Sequence, residues 1–222
     1  IGKTPGEVLQ GPNPNLNLRN RMRQAFDAGQ AFQCEIQNFA KDGTPYWIDM
    51  DIQPVQDDEG VLQHFVAVQR DITKRKRAEL GMLEQTDLQR MLMSIANDFI
   101  NLAPEDAPKT IQQALNRVGH FTQVDRVYVF RYNHAASACS NTYEWCAEGV
   151  SPQIDKLQDL SLDVIPSFTA AHFAGEALHI ADTQNLAPEN DERRLLEPQG
   201  IQSLLALPMM DGKTCVGFIG FD

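Results

Sequence analysis

Lys41-Asp42-Gly43-Thr44-Pro45-Tyr46-Trp47-Ile48-Asp49-Met50-Asp51-Ile52 decides how the first third of this chain folds. Its Asp-Gly step supplies the backbone angles of a tight hairpin turn. From Tyr46 on, Tyr46, Ile48, Met50 and Ile52 fall on one face and Asp49 and Asp51 on the other, the period of two that marks a strand with one buried side. Working outward, Phe32, Cys34 and Ile36 alternate with Gln33, Glu35 and Gln37 to make the preceding arm. A second turn at Asp57-Asp58-Glu59-Gly60 returns the chain into Phe65-Val66-Ala67-Val68-Gln69. The three segments predict an antiparallel meander that needs something packed on its apolar face. Ahead of it, residues 15 to 28 read as a short amphipathic helix with Gly29 at the left-handed cap.

After the meander, Lys74 to about Leu102 carries neither proline nor a turn cluster, and Leu80, Leu83, Leu88, Met91, Ile95 and Phe99 recur near helical period. Such a helix is roughly 43 Å long, and its first half is too polar for a monomer's core. A narrow apolar seam on a charged helix predicts a helical partner. The step of five from Leu83 to Leu88, with Gly81 nearby, argues against a long regular coiled coil.

Beyond it the patterning describes a second mixed domain. A helix is expected over Ala107 to Phe121 and strands over Arg126 to Tyr132 and Ser140 to Ala147. Broken helical segments follow between Ser151 and Ala174, then a strand near Ala177 to Ala181 and a short helix near Asn190 to Leu196. A closing hairpin turns at Asp211-Gly212-Lys213. The charge of −11 over 222 residues argues against a nucleic-acid partner, and the short basic cluster Lys74-Arg75-Lys76-Arg77 reads as solvated. Apolar runs are too short to cross a bilayer, no signal peptide is visible, and the segment reads as cytoplasmic. Cys34, Cys139, Cys146 and Cys215 lack the paired spacing of a zinc site and read as reduced thiols.

Taken in order, Ile1-Gly2-Lys3-Thr4-Pro5, Leu9-Gln10-Gly11-Pro12, the Lys41 to Trp47 turn, Gln53-Pro54-Val55 and Asp71-Ile72-Thr73 resemble the rear part of a PAS domain of the sensory-box kind. Asn141-Thr142-Tyr143-Glu144-Trp145-Cys146-Ala147-Glu148-Gly149, Gln199-Gly200-Ile201-Gln202-Ser203-Leu204-Leu205, Pro208 and Gly217-Phe218-Ile219-Gly220-Phe221-Asp222 resemble a GAF domain. The fold class is therefore α+β, with two domains, each an antiparallel sheet with helices, joined by a long helix. The resemblance implies that residues 1–73 are the C-terminal part of a PAS domain, 74–87 a helical signalling linker, and 88–222 a GAF domain lacking its final helix. The resemblance implies a small-ligand pocket and an output module downstream, commonly a histidine kinase or diguanylate cyclase. It makes the segment a sensory, signal-coupling fragment of a bacterial protein.

Flavin-binding PAS relatives test the alternative of a photoreceptor. They need a cysteine just before the Leu-Gln-Gly-Pro motif, and Thr4-Pro5-Gly6-Glu7-Val8 holds none. Their amide contacts would fall at Asn38, Ile48 and Gln69, of which Asn38 and Gln69 are amides. The partner of Asn38 could be a ligand, a backbone group or Gln69. Asp71 and Thr73 mark the junction that sets the angle of the helix, Thr73 as its N-cap and Asp71 as a carboxylate near its positive end. In the GAF segment the cysteine-histidine pair that attaches a bilin is absent, as is the cyclic-nucleotide signature. Cys139 and Cys146, seven apart on one strand, should face opposite sides. Glu144, Trp145 and Asp182 could line a pocket or serve in packing and turn capping. No catalytic or metal-binding pattern is recognisable, and no cofactor is assigned. The expected partners are a second copy through the linker helix, an unidentified small molecule and an output domain in the same polypeptide.

Overall fold

The computed structural model describes residues 9, 15–100 and 102–222. Ile1 to Val8 and the Gln10-Gly11-Pro12 motif lie outside them. The chain divides into two compact units between Leu88 and Gln89, and the two-domain α+β expectation holds.

The first unit opens with α1 (Leu16–Asp27), whose first turn is capped by the Asn15 side chain accepting from the Leu18 N–H. Gly29 at φ +64° turns the chain out of it. Strands β1 (Phe32–Phe39), β2 (Pro45–Gln56) and β3 (Leu62–Asp71) form an antiparallel meander in that order. The register pairs Ile36 with Ile48 and Met50 with Gln69. It places Ile36, Asn38, Ile48, Ile52 and Gln69 on one face and Glu35 and Trp47 on the other, because cross-strand partners share a face. β2 runs four residues past the alternation seen in sequence, through Pro54. Beyond Ile52 only β3 lies beside it, an edge position where a residue without an N–H is tolerated.

Helix α2 (Thr73–Phe99) follows and buries none of its residues. Leu80, Leu83, Leu88, Leu92 and Phe99 are 40–61% exposed along it. Among the described residues no helix is long and apolar enough to cross a membrane.

The second unit is built on a six-stranded antiparallel sheet of order β6-β5-β4-β9-β8-β7. Its strands are β4 (Arg126–Asn133), β5 (Ala138–Cys146), β6 (Leu160–Ser161), β7 (Leu178–Ile180), β8 (Leu204–Asp211) and β9 (Thr214–Phe221). One face receives α3 (Ala107–Thr122), which approaches so closely that a Cβ on Gly119 would fall inside the indole ring of Trp145. The other face carries the core, with Tyr128, Phe130, Tyr132, Leu204 and Phe218 packed against Ile165, Phe168 and Leu196. Those last three come from short helices α4 (Pro166–Phe173) and α5 (Asp191–Leu196) and the turn before α4.

Because Gly119 has no room for a side chain, Gly119→Ala displaces Trp145 and costs about 1–3 kcal/mol of stability in the second unit. Urea unfolding followed by Trp145 fluorescence in a Trp47→Phe background measures it.

Candidate functional site

The cavity of the first unit lies between α1 and the meander and has a volume of about 570 Å³, within the range of small-molecule sites. Its floor is Ile36, Ile48 and Ile52, its wall Met22 and Phe26, and Arg19 and Arg23 lie on its lining. Asn38 and Gln69 both open onto it. Asn38 is buried, and Gln69 Nε2 is 3.8 Å from Met50 Sδ. Among the described residues the two amides do not hydrogen-bond each other, although sequence left that pairing open.

On the opposite face the sheet hands its hydrogen bonds to the helix. The β2–β3 ladder ends at Ile48 opposite Asp71, and the next two residues take over the backbone groups of Trp47. The Ile72 N–H donates to the Trp47 carbonyl at 2.9 Å, and the Trp47 N–H donates to Thr73 Oγ1 at 2.9 Å. Thr73 is thus the first residue of α2 and not its N-cap, because its hydroxyl is turned back onto β2. Asp71 Oδ1 accepts the Thr73 N–H at 2.8 Å, and the Thr73 side chain first, then this N–H, hold the Asp71 carboxyl below its ordinary range.

The basic cluster that sequence left in solvent is partly anchored here. Arg75 Nη2 is 2.6 Å from Glu35 Oε1 and Nη1 2.8 Å from Glu79. Lys76 pairs with both carboxylates and sits 5.6 Å from the centre of the Trp47 ring. Lys76 first, then Arg75, hold the Glu35 carboxyl below its ordinary range.

The second unit's pocket is small, about 40 Å³, room for a few waters. Phe130 and Phe218, cross-strand neighbours stacked at 4.8 Å, line its sheet side, with Phe168, Leu157, Leu160 and Ile165 closing the walls. Its polar end is a buried ion pair in which Arg126 Nε donates to Asp222 Oδ1 at 3.0 Å and Nη2 to the Gln199 carbonyl at 2.9 Å. Burial pushes the Asp222 carboxyl up to about 6, against the pull of Arg126. Glu144 lines the pocket, and its Oε2 accepts the N–H groups of Gln153 and Ile154 at 2.7 and 3.0 Å.

Trp145 does not share that pocket. Successive residues of a strand face opposite sides, and the indole lies against α3, 5.0 Å from the ring of His120. Asp182 is exposed and accepts the Gln184 N–H at 2.9 Å, capping a short turn.

The cysteines correct the sequence reading in the other direction. β5 has a register shift at Thr142, so Cys139 opposite Tyr132 and Cys146 opposite Arg126 face the same side. They are still roughly 20 Å apart along the strand, and among the described residues no cluster of ligating side chains suits a metal.

Sequence reasoning also missed the buried polar groups Arg126, His172 and Glu192. Only the helical spacing of Phe168 and His172, four apart, could have drawn attention to one of them. His172 Nδ1 and the Tyr132 hydroxyl are 2.8 Å apart. Its Nε2 is buried without a hydrogen-bond partner among the described residues. Burial holds His172 below its usual value near 6.5. The unfolded chain therefore binds this proton more readily, and stability present above 6.5 is lost as pH falls below it. Asp222 acts oppositely between its ordinary value of 3.8 and about 6, since there the folded state binds the proton. The urea midpoint of the second unit is expected to drop between pH 7 and 6, ahead of the Asp222 transition, and His172→Gln flattens that drop.

The arrangement of two antiparallel α+β units, one with an open cavity and one with a nearly filled core, connected by an exposed helix, is that of tandem sensory modules. Residues 106–222, more than half of the chain, match the GAF domain family, and the chain belongs to that family; residues 1–74 match the PAS domain family. The methanogenesis regulatory histidine kinase FilI of Methanothrix harundinacea is 29% identical over 198 residues, 88% of this chain and 22% of that protein. A blue-light-activated histidine kinase of Brucella anthropi is 36% identical over 95 residues, 43% of this chain and 18% of that protein. The GAF3 domain of Slr1393 from Synechocystis superposes with a TM-score of 0.43 at 21% identity, over 51% of this chain and 74% of that one. The chain spans about a fifth of the length of these two curated relatives. A role in signal transduction, as a sensory segment, follows from the two domain families and the curated relatives.

Proposed function

We propose that this chain is a signal-coupling unit: a change in the first unit's cavity, by ligand or redox state, biases the helix launched at Thr73, and a helix-paired homodimer relays the bias to an output module in the same cytoplasmic polypeptide. The observation that carries this reading is the two-faced sheet. Its inner face lines a 570 Å³ cavity, and its outer face holds the start of α2 through Thr73, Arg75 and Lys76. A ligand shifts such an equilibrium only by binding one arrangement more tightly than the other. The exposed Leu80 and Leu88, with the partly exposed Met91 and Ile95, fall within about 80° of one another around the helix axis and supply the apolar seam a second helix would cover. The kinase relatives favour an output module of that type. Sedimentation of the chain with its flanking domains is expected to show a dimer, and Leu80→Glu with Leu88→Glu to shift it toward monomer. A monomer at high concentration counts against the reading.

A second reading, a flavin-bound photoreceptor, is favoured by Asn38 and Gln69 opening onto one cavity and by the blue-light relative. The fit is incomplete, because Ile48 stands where a third amide is needed and residues 4–8 contain no thiol. A tetrapyrrole does not fit the second unit, where Phe130, Phe168 and Phe218 occupy the space. The visible absorption spectrum of protein purified with flavin and bilin supplied separates the readings. A colourless preparation is expected, and a flavin band would reverse the preference.

A further inference from the structure

Strand β1 carries two kinds of residue in alternation. Ile36 and Asn38 line the cavity, while Glu35 projects from the other face and pairs with both Arg75 and Lys76 at the start of α2. Among the described residues β1 is bonded to β2 alone, so it is the edge strand of the meander. β2 is the central strand, bonded on both sides, and it holds the helix start through Trp47. The helix is thus attached at two points: Ile72 and Thr73 on the central strand, and Arg75 and Lys76 on the edge strand.

We propose that Glu35 is the positioning residue of the coupling. The Trp47 attachment acts as a pivot, and displacement of β1 by an occupant of the cavity is passed through Glu35 to Arg75 and Lys76, tilting the first turns of α2. The inference rests on the coupling reading above and adds the strand and the side chain that transmit it. Glu79 takes part, since it bridges the same Arg75 and Lys76 from one turn further along. When Glu35 moves, both cations are drawn between it and a carboxylate fixed to the helix itself. Lys76 is further confined by the Trp47 ring, so its displacement is converted into rotation about the pivot instead of free motion of the side chain.

Amide hydrogen exchange over Lys76 to Leu83 tests this on the intact chain, with the cavity perturbed by substitution in place of an unidentified ligand. Ile36→Val and Asn38→Ala are made singly, each in the Glu35 and the Glu35→Gln backgrounds. Glu35→Gln alone is expected to speed exchange in that segment by roughly threefold to tenfold, as exposed ion pairs of this kind are individually weak, and Glu35→Asp to restore it. Exchange at Ile48 and Met50 reports that the sheet is intact. In the Glu35 background the cavity substitutions change exchange in the helix, and in the Glu35→Gln background they do not. If they change it equally in both backgrounds, the coupling reading stands and Glu35 is overturned as its carrier, leaving the Trp47 attachment. If they change it in neither, both fall.

Discussion

The structure of the first unit depends on the handover at Trp47. The ladder between β2 and β3 stops at Ile48 and Asp71, and a backbone N–H and carbonyl on the half-buried neighbouring residue would otherwise be left without partners. Ile72 supplies an N–H and Thr73 an oxygen for them. The same two residues begin α2, so satisfying the strand's backbone fixes where the helix starts and how it leaves the sheet. Asp71, by accepting the Thr73 N–H, holds the bend in place.

The second unit solves a related problem with buried polar side chains. Its core face is covered by short helices and loops, which cannot satisfy their own backbone groups. Glu144 accepts two N–H groups of the segment at 153–154, Glu192 accepts the Ser167 N–H at the start of α4, and Arg126 donates to the Gln199 carbonyl. Arg193 adds a further tie, donating to the carbonyls of Gln184 and Leu186. Glu144 and Arg126 attach covering segments to the sheet, Glu192 and Arg193 attach covering segments to one another, and the aromatic residues beneath them fill the volume that a ligand would need. The small cavity and the buried charges are therefore two results of one packing scheme.

What was legible in the sequence was whatever depends on local period. The alternation from Tyr46 to Ile52 and from Phe32 to Gln37 gave the meander and the faces of Asn38 and Gln69, because a strand's side-chain direction is set by parity alone. Parity failed where the ladder is irregular: the register shift at Thr142 turns Cys139 and Cys146 to one side, and no residue type there announces it. The pocket assignment of Trp145 was excluded by parity once Glu144 was placed in the pocket. Thr73 was misread as a cap because capping is a local rule, whereas its hydroxyl answers Trp47, twenty-six residues away. Long-range partners of this kind, Glu35 with Arg75 and Arg126 with Asp222 among them, leave no periodic trace.

The two attachments of α2 differ in character, and that difference bears on the proposed coupling. The Trp47 contacts are hydrogen bonds of fixed direction to its backbone N–H and carbonyl, which define an axis but offer little range of adjustment. The contacts of Glu35 are ion pairs of exposed, flexible side chains, broad in geometry and screened by salt. A helix held only by the first kind would not respond to small changes in the sheet, and one held only by the second would have no defined angle. Coupling between a cavity and a distant element requires two arrangements of similar free energy. A rigid pivot beside a soft, electrostatic attachment is one way for a small sheet to provide them.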